Sequence, residues 1–348
     1  MTDPHQNALG VLDQLPRTRL GHTPTPLEPL PRLTVALAGA RLWVKRDDCT
    51  GLAFGGNKVR QLEYYLGEAM ARDADTILIT GAVQSNFVRL AAAASAQLGL
   101  QCHVQLEERV PDMDHTYHAS GNALLDRLLG AVVYHYPDGE DEAGADRRMS
   151  ELGEQLRAEG NTPYQIPLAP GHAPLGALGY VRAAEELLEQ CRSQNLDMDE
   201  VVIPSGSGHT HGGTLYGLRA HGFTGRVTGV CVRRNAEAQK PRIIERCNEI
   251  GELLKAASPV SPEDVVLDDR FLAPGYGQLN EATIDALKTA AETEGLLVDP
   301  VYTAKAMAGF MARAKQLDTD KTLVFVHTGG LPALFAYERQ LNLLLGAD

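Results

Sequence analysis

Short β-branched apolar runs alternate with longer segments of helical spacing through most of this chain, and that alternation constrains the fold more than any other feature. The runs are Arg41–Lys45, Thr76–Thr80, Cys102–Leu106, Ala131–Tyr136, Val201–Pro204, Val227–Val232 and Leu323–His327. Helical spacing is expected over Val59–Ala71, Phe87–Leu98, Asn122–Leu129, Ala143–Glu159, Leu175–Cys191, Gly213–Ala220, Ala236–Leu254, Glu281–Glu294 and Thr303–Gln316. Strand, helix, strand is the unit of a parallel sheet with crossover helices, so an α/β fold follows. The 348 residues are enough for two lobes. Gly, Pro and Ser cluster at Pro167–Gly171, Pro259–Pro262 and Pro274–Gly277, and the first cluster is the expected lobe boundary. The acidic stretch Pro137–Asp146 reads as a surface loop entering a helix.

Several function classes are disfavoured at once. A formal net charge of −13 argues against nucleic acid or an anionic membrane as partner, although a local basic pocket can still hold a small anion. No apolar run reaches the roughly 18 residues of a membrane span. The opening MTDPHQNALG lacks the basic and apolar blocks of a signal peptide. Cys49, Cys102, Cys191, Cys231 and Cys247 are odd in number and scattered without a C-x-x-C pair, which points to a reducing cytoplasm. His115 with His118, and His209 with His211, lack a third metal ligand nearby. A G-x-S-x-G elbow is absent.

One lysine stands out. In GLAFGGNKVR, Gly51 to Arg60, paired glycines lead into Lys58, and Val59, Leu62, Leu66, Ala69 and Met70 then continue at helical spacing. Lys58 therefore falls in a first helical turn, where unpaired N–H groups disfavour a cation. An amine there tends toward its neutral form, the form that attacks carbonyls. Gly55 and Gly56 let the backbone turn sharply and let a flat ligand approach.

Open α/β sheets bind ligands beyond the carboxyl ends of their strands, and three such ends carry suitable residues. Gln84-Ser85-Asn86 opens a helix and forms a corner suited to a carboxylate. Gly206-Ser207-Gly208-His209-Thr210 follows another strand, and glycines there allow backbone N–H groups to converge on a phosphate. It is neither a P-loop nor a G-x-G-x-x-G turn, although Arg233-Arg234 leave an NADP-dependent oxidoreductase as a rival. Thr328, in His327-Thr328-Gly329-Gly330, offers a hydroxyl to a ring nitrogen. Tyr276 and Tyr302 lie beside Gly and Pro turns, where an aromatic can reach into a cleft. A lysine, a phosphate cradle, a carboxylate corner and a ring-nitrogen partner are together the parts needed to hold pyridoxal 5′-phosphate (PLP) and present an amino acid to it.

The motifs HTPTPLEPL, KRDDCTGLAFGGNK, GAVQSN, GALGY, SGSGHTHGG, DPVYTAKAMAG and HTGG, which span nearly the whole chain, resemble the tryptophan-synthase-β-like, fold type II PLP enzymes. The resemblance is to the branch holding D-cysteine desulfhydrase, L-cysteate sulfo-lyase and 1-aminocyclopropane-1-carboxylate (ACC) deaminase. It implies Lys58 as the PLP lysine, Asn86 at the ring hydroxyl, Ser85 and Gln84 at the substrate carboxylate, and Gly206 to Thr210 at the phosphate. ACC deaminases carry Glu and Leu where this chain has Thr303 and Thr328, which here become cofactor-binding candidates and favour the desulfhydrase and sulfo-lyase members. RDDCTGLA, SGNALLDRLLGA and RAEGNTPYQIP, with GALGYVRAAEELL, lean toward the sulfo-lyase. Phe87, His172 and His209 depart from residues usual in the branch, and Phe87 and His172 are expected at the substrate with Tyr276.

Two open parallel-sheet lobes are implied: a large one of residues 1–50 and 172–348, and a small one of 51–171. The resemblance further implies a homodimer acting on a small amino acid by β-elimination. Lys58 would take the α-proton, and Tyr302 or Tyr276 would serve as a second acid. A non-catalytic amino-acid-binding protein is the remaining rival.

Overall fold

A computed structural model describes residues 4–167 and 172–346, so most of the Pro167–Gly171 cluster lies outside the described residues. The strands are β1 (Leu27–Pro29), β2 (Arg41–Lys45), β3 (Thr76–Ala82), β4 (Gln101–Glu107), β5 (Val132–Tyr136), β6 (Pro163–Ile166), β7 (Glu200–Ser205), β8 (Arg226–Cys231), β9 (Val266–Asp268) and β10 (Thr322–Val326). They form a sheet of order β1-β2-β10-β7-β8-β9 and another of order β5-β4-β3-β6. Only β1 runs antiparallel to its neighbour among these described strands.

The chain divides into two compact units, each built on one sheet. The larger takes residues 4–15, 22–50 and 173–330, and the smaller takes 16–21, 51–172 and the chain from Leu331 onward. The expected division therefore needs correction at two segments. Arg17 pairs with the buried carboxylate of Glu63 at 2.6 Å, and Glu63 also accepts from the N–H groups of Leu20 and Gly21, which ties 16–21 to the smaller unit. Tyr337 meets Tyr117 edge-on at 5.6 Å and anchors the C-terminal segment there. Such partners lie far apart in sequence, beyond the reach of local patterning.

β7 and β10 are buried along their whole length, as strands covered on both faces should be. Leu42, Val44, Val202, Val230, Leu323 and Phe325 of the larger sheet pack with Leu33, Ala286, Ala290, Met307 and Phe310 from helices. In the smaller unit Leu78 packs with Met149 and Leu156. The strands β1, β6 and β9, at 3 or 4 residues, are too short to show a period in the sequence. The helix expected from Gly213 starts at His209. Glycines inside it serve packing, because a Cβ on Gly213 would meet the Ala177 carbonyl oxygen at 2.3 Å. Among the described residues no helix is long and apolar enough to cross a membrane.

The architecture places the three polar turns as expected. β3 leads into Gln84-Ser85-Asn86, β7 into Gly206–Thr210, and β10 into His327–Gly330. All three follow carboxyl ends of parallel strands.

Candidate active site

Lys58 is the second residue of the helix Asn57–Ala71. The approach is conformationally unusual: Gly51, Ala53, Phe54, Gly55 and Gly56 all have positive φ, from 39° to 124°. For Ala53 and Phe54 this costs on the order of 1–2 kcal/mol each, so the loop must be held by its surroundings. The Gly55 carbonyl is held by Arg89 Nη2 at 2.8 Å. The Lys58 amine donates to Gln61 Oε1 at 3.1 Å and stands over the Phe87 ring, 4.8 Å from its centre. Burial lowers its pKa from 10.5 to about 8.

At the start of the helix Asn86–Leu98, Ser85 Oγ accepts from Val88 N at 3.2 Å, so the N-cap keeps its own O–H proton for another acceptor. Gln84 is different. Its Nε2 donates to the carbonyls of Tyr117 and Ser120, and its Oε1 accepts from Asn122 N at 2.9 Å. Both N–H donors are spent inside the smaller unit, so the expected role at a substrate carboxylate does not fit Gln84. Asn86 Oδ1 accepts from Arg89 and from Asn122, while Asn86 itself remains partly exposed.

The turn after β7 has the form of an anion cradle. Gly208 has φ +95°, a side chain there would press on Ile243 Cδ1 at 3.2 Å, and no side chain caps the helix that begins at His209. The turn is braced from behind. Gln239 Nε2 donates to Ser205 Oγ at 3.0 Å and to the Gly206 carbonyl at 2.9 Å, and Ser205 Oγ meets Nδ1 of the fully buried His211 at 3.0 Å. Ser207 Oγ lies 3.2 Å from His209 Nδ1. Thr210 is buried in the first helical turn.

Tyr276 and Tyr302 come together, their hydroxyls 2.5 Å apart and their rings edge-on. Tyr302 also flanks the cradle, since a Cβ on Gly206 would lie 3.8 Å from its Cε1. The loop carrying Tyr276 is pinned by the buried Lys305, which donates to the carbonyls of Leu272 and Gly275. Thr303 is not available in the way expected. Its hydroxyl donates to Asp299 Oδ1 at 2.6 Å and accepts from Asp299 N at 2.6 Å, within a knot where the Asp299 carboxylate also receives the N–H groups of Val301, Tyr302 and Thr303. Thr328 follows His327, whose Nδ1 accepts from Gly329 N and whose Nε2 donates to the Leu297 carbonyl. Its hydroxyl is not spent in this brace. His172 is exposed and lies 3.6 Å from Asp146, a surface pairing that connects it with no other expected site residue.

Arg89, Asn122, Gln239 and Lys305 were outside the sequence-derived set. A signal existed for Arg89, the one charged residue in the apolar helix Asn86–Leu98, because a charge that must be buried must also be paired. No group of metal ligands occurs among the described residues.

The family described as pyridoxal-phosphate dependent enzyme matches residues 18–329, and the chain belongs to it. Within that family it is a fold type II member of the D-cysteine desulfhydrase and ACC deaminase branch. It is 40% identical over 330 residues to a 1-aminocyclopropane-1-carboxylate deaminase of Burkholderia vietnamiensis, covering 94% of this chain and 97% of that protein. A D-cysteine desulfhydrase of Salmonella choleraesuis is 41% identical over 329 residues, with the same coverage. A solved ACC deaminase homologue superposes with a TM-score of 0.87 at 33% identity, over 97% of this chain and 99% of that one. O-ureido-L-serine synthase shares the fold alone, with a TM-score of 0.66 at 17% identity over 94% of each chain. The cofactor is PLP, and the nicotinamide alternative falls with that assignment. The residues present fit PLP: an amine shifted toward neutrality, an uncapped helix start behind a glycine turn, and a partly exposed amide.

Proposed function

We propose that this chain is a PLP-dependent lyase that expels the β-substituent of a small amino acid and releases its nitrogen as ammonia, with D-cysteine or L-cysteate as substrate. The observation that carries the reading is the amine of Lys58, lowered to about 8 and set over an apolar ring. That shift raises the neutral fraction at pH 7 roughly 300-fold over an ordinary lysine. When bound, PLP supplies an electron sink that makes the substrate α-proton removable.

The chain's own groups do the rest. Lys58 Nζ would hold the cofactor and would be the base that takes the substrate α-proton. The Ser85 hydroxyl would donate to the substrate carboxylate, and Asn86 Nδ2 would donate to the cofactor's ring oxygen. The turn Gly206 to Thr210 would hold the phosphate, as helix starts behind glycine turns do elsewhere. The Thr328 hydroxyl would meet the cofactor's ring nitrogen as an uncharged partner, which would suit an elimination, in which the departing group carries the charge away. The hydroxyls of Tyr276 and Tyr302 hydrogen-bond to each other, and one of them would serve as the acid. Phe87 gives the pocket an apolar wall beside Lys58.

D-cysteine and water would give pyruvate, ammonia and hydrogen sulfide, and L-cysteate would give sulfite in place of sulfide. ACC opening is the second reading, favoured by the name of the Burkholderia relative, and it would give 2-oxobutanoate with ammonia. The test is to titrate the yellow PLP-loaded protein with all three amino acids and assay both oxo acids. Pyruvate from D-cysteine or L-cysteate supports the elimination; 2-oxobutanoate from ACC alone would replace it; no product from any would overturn both. A homodimer in a reducing cytoplasm belongs to the same proposal. The exposed Leu124, Leu128, Phe335 and Leu343 on the smaller unit support an association surface, and sedimentation would measure it.

A further inference from the structure

We infer that Arg89 is a positioning residue for the cofactor: it fixes the Asn86 amide with its N–H₂ turned away from the protein interior, so that Asn86 meets a ligand only as a donor. The inference rests on the PLP reading of Lys58 and Asn86 and deepens it.

The argument is one of hydrogen-bond inventory. A guanidinium has donors and no acceptor. Arg89 Nη1 lies 3.2 Å from one amide atom of Asn86 and 2.9 Å from one of Asn122, so both of those atoms must be oxygens. Asn122 Nδ2 then donates to the same Asn86 oxygen at 2.9 Å and to the Gln84 carbonyl at 3.0 Å. Asn86 Oδ1 thus takes two donors, and turning the amide over would set its N–H₂ against two other donor groups. That leaves Nδ2 as the group Asn86 can present, with no partner among the described residues.

Arg89 is itself fixed. It is fully buried, one helical turn from Asn86, and its Nη2 donates to Gly55 O at 2.8 Å. The Asp126 carboxyl, buried without a hydrogen-bond partner and with its pKa raised by burial to about 7, supplies opposing charge when ionised. The guanidinium therefore joins the strained turn before Lys58 to the amide orientation at Asn86. Such a donor recognises an oxygen anion next to the carbonyl carbon that Lys58 attacks.

The experiment is a double-mutant cycle on PLP affinity, using apoprotein, Arg89→Met, Asn86→Ala and the double variant, titrated with PLP by visible absorbance. Each single change should weaken PLP by ~10- to 100-fold, the range of a hydrogen bond to a charged oxygen. The double variant should lose little more than the worse single one, because Arg89 acts through Asn86. A protein donor on the ring oxygen competes with the protonated lysine link for that oxygen. The pH at which the yellow band titrates should therefore rise in both single variants and no further in the double. A scaffold role alone would not move it in that way. Wild-type affinity and titration in Arg89→Met, or effects that multiply in full, would overturn the inference while the reading of Lys58 stands. Failure of the wild-type chain to take up PLP would overturn both. If Arg89→Met does not fold, Asn86→Asp serves: it keeps an oxygen toward Arg89 but turns an acceptor outward, so PLP should bind ~10-fold or more weakly. Undiminished binding would overturn the inference.

Discussion

The Lys58 amine stands 4.8 Å from the centre of the Phe87 ring, and Phe87 in turn packs against Tyr65 at 6.2 Å. Two opposing effects meet there. Burial drives the amine toward neutrality, while the ring face attracts an ammonium by about 0.5–2 kcal/mol. Burial wins, since the pKa falls from 10.5 to about 8. Substitutions at Phe87 should separate the two effects. Phe87→Leu keeps the amine dry but loses the ring, so the Lys58 pKa should fall further, by about half a unit. Phe87→Ala admits water and should raise it by about one unit or more. The pH dependence of Lys58 acylation in the apoprotein reads both shifts. A shift of the same sign in both variants would contradict this balance.

On the proposed role of Lys58, Lys58→Ala should leave the fold intact and remove both the covalent hold on PLP and the base. Turnover should fall by at least about 1,000-fold, and the yellow band should be replaced by that of unattached cofactor. An added primary amine should restore part of the activity by acting as external base. Activity near the wild-type level would mean that another residue carries the chemistry.

Thr303 and Thr328 look equivalent in sequence but have different partners. Thr303→Val breaks a bond to the buried Asp299 carboxylate and should cost about 1.5–3 kcal/mol of stability in denaturant, with PLP affinity nearly unchanged. Thr328→Val should leave stability within about 0.5 kcal/mol and instead lower turnover by about tenfold. Reversal of the two outcomes would return Thr303 to the ring nitrogen.

The positions of the three polar turns were legible, because β3, β7 and β10 could be read directly and each turn follows the end of one of them. Lys58 was legible for a local reason, its place in the first turn of a helix after paired glycines. Gln84 and Thr303 misled for a shared reason. Each has polar chemistry suited to a ligand, but each spends its donors on protein partners. Gln84 is committed to Tyr117, Ser120 and Asn122, which lie 33 to 38 residues away. Thr303 is committed to Asp299, four residues back, and there a signal was present, since an Asp just ahead of a helix commonly receives its first N–H groups. His172 had no local signal of its surface position.

His211 supplies a pH test of the brace behind the turn after β7. The side chain is fully buried, its Nε2 has no hydrogen-bond partner, and burial lowers its pKa from 6.5 to about 4. In the folded protein the imidazole therefore stays neutral down to about pH 4, whereas in the unfolded chain it takes a proton below about pH 6.5. The unfolded state binds more protons across that window, so stability should fall as pH drops from 6.5 to 4 and change no further below it through this group. The full loss is about 3 kcal/mol, with a slope approaching 1.4 kcal/mol per pH unit. His211→Leu removes the titration and should be flatter than wild type by that slope, whatever its absolute stability. Denaturant unfolding of the two apoproteins across this pH range is the measurement, and parallel curves would show that His211 is not held neutral. Ser205 contacts both His211 and Gln239, and Gln239 also holds the Gly206 carbonyl. Charging His211 in the folded protein should loosen the turn after β7, so PLP affinity should hold down to about pH 5 and decline only as pH approaches 4, in wild type but not in His211→Leu.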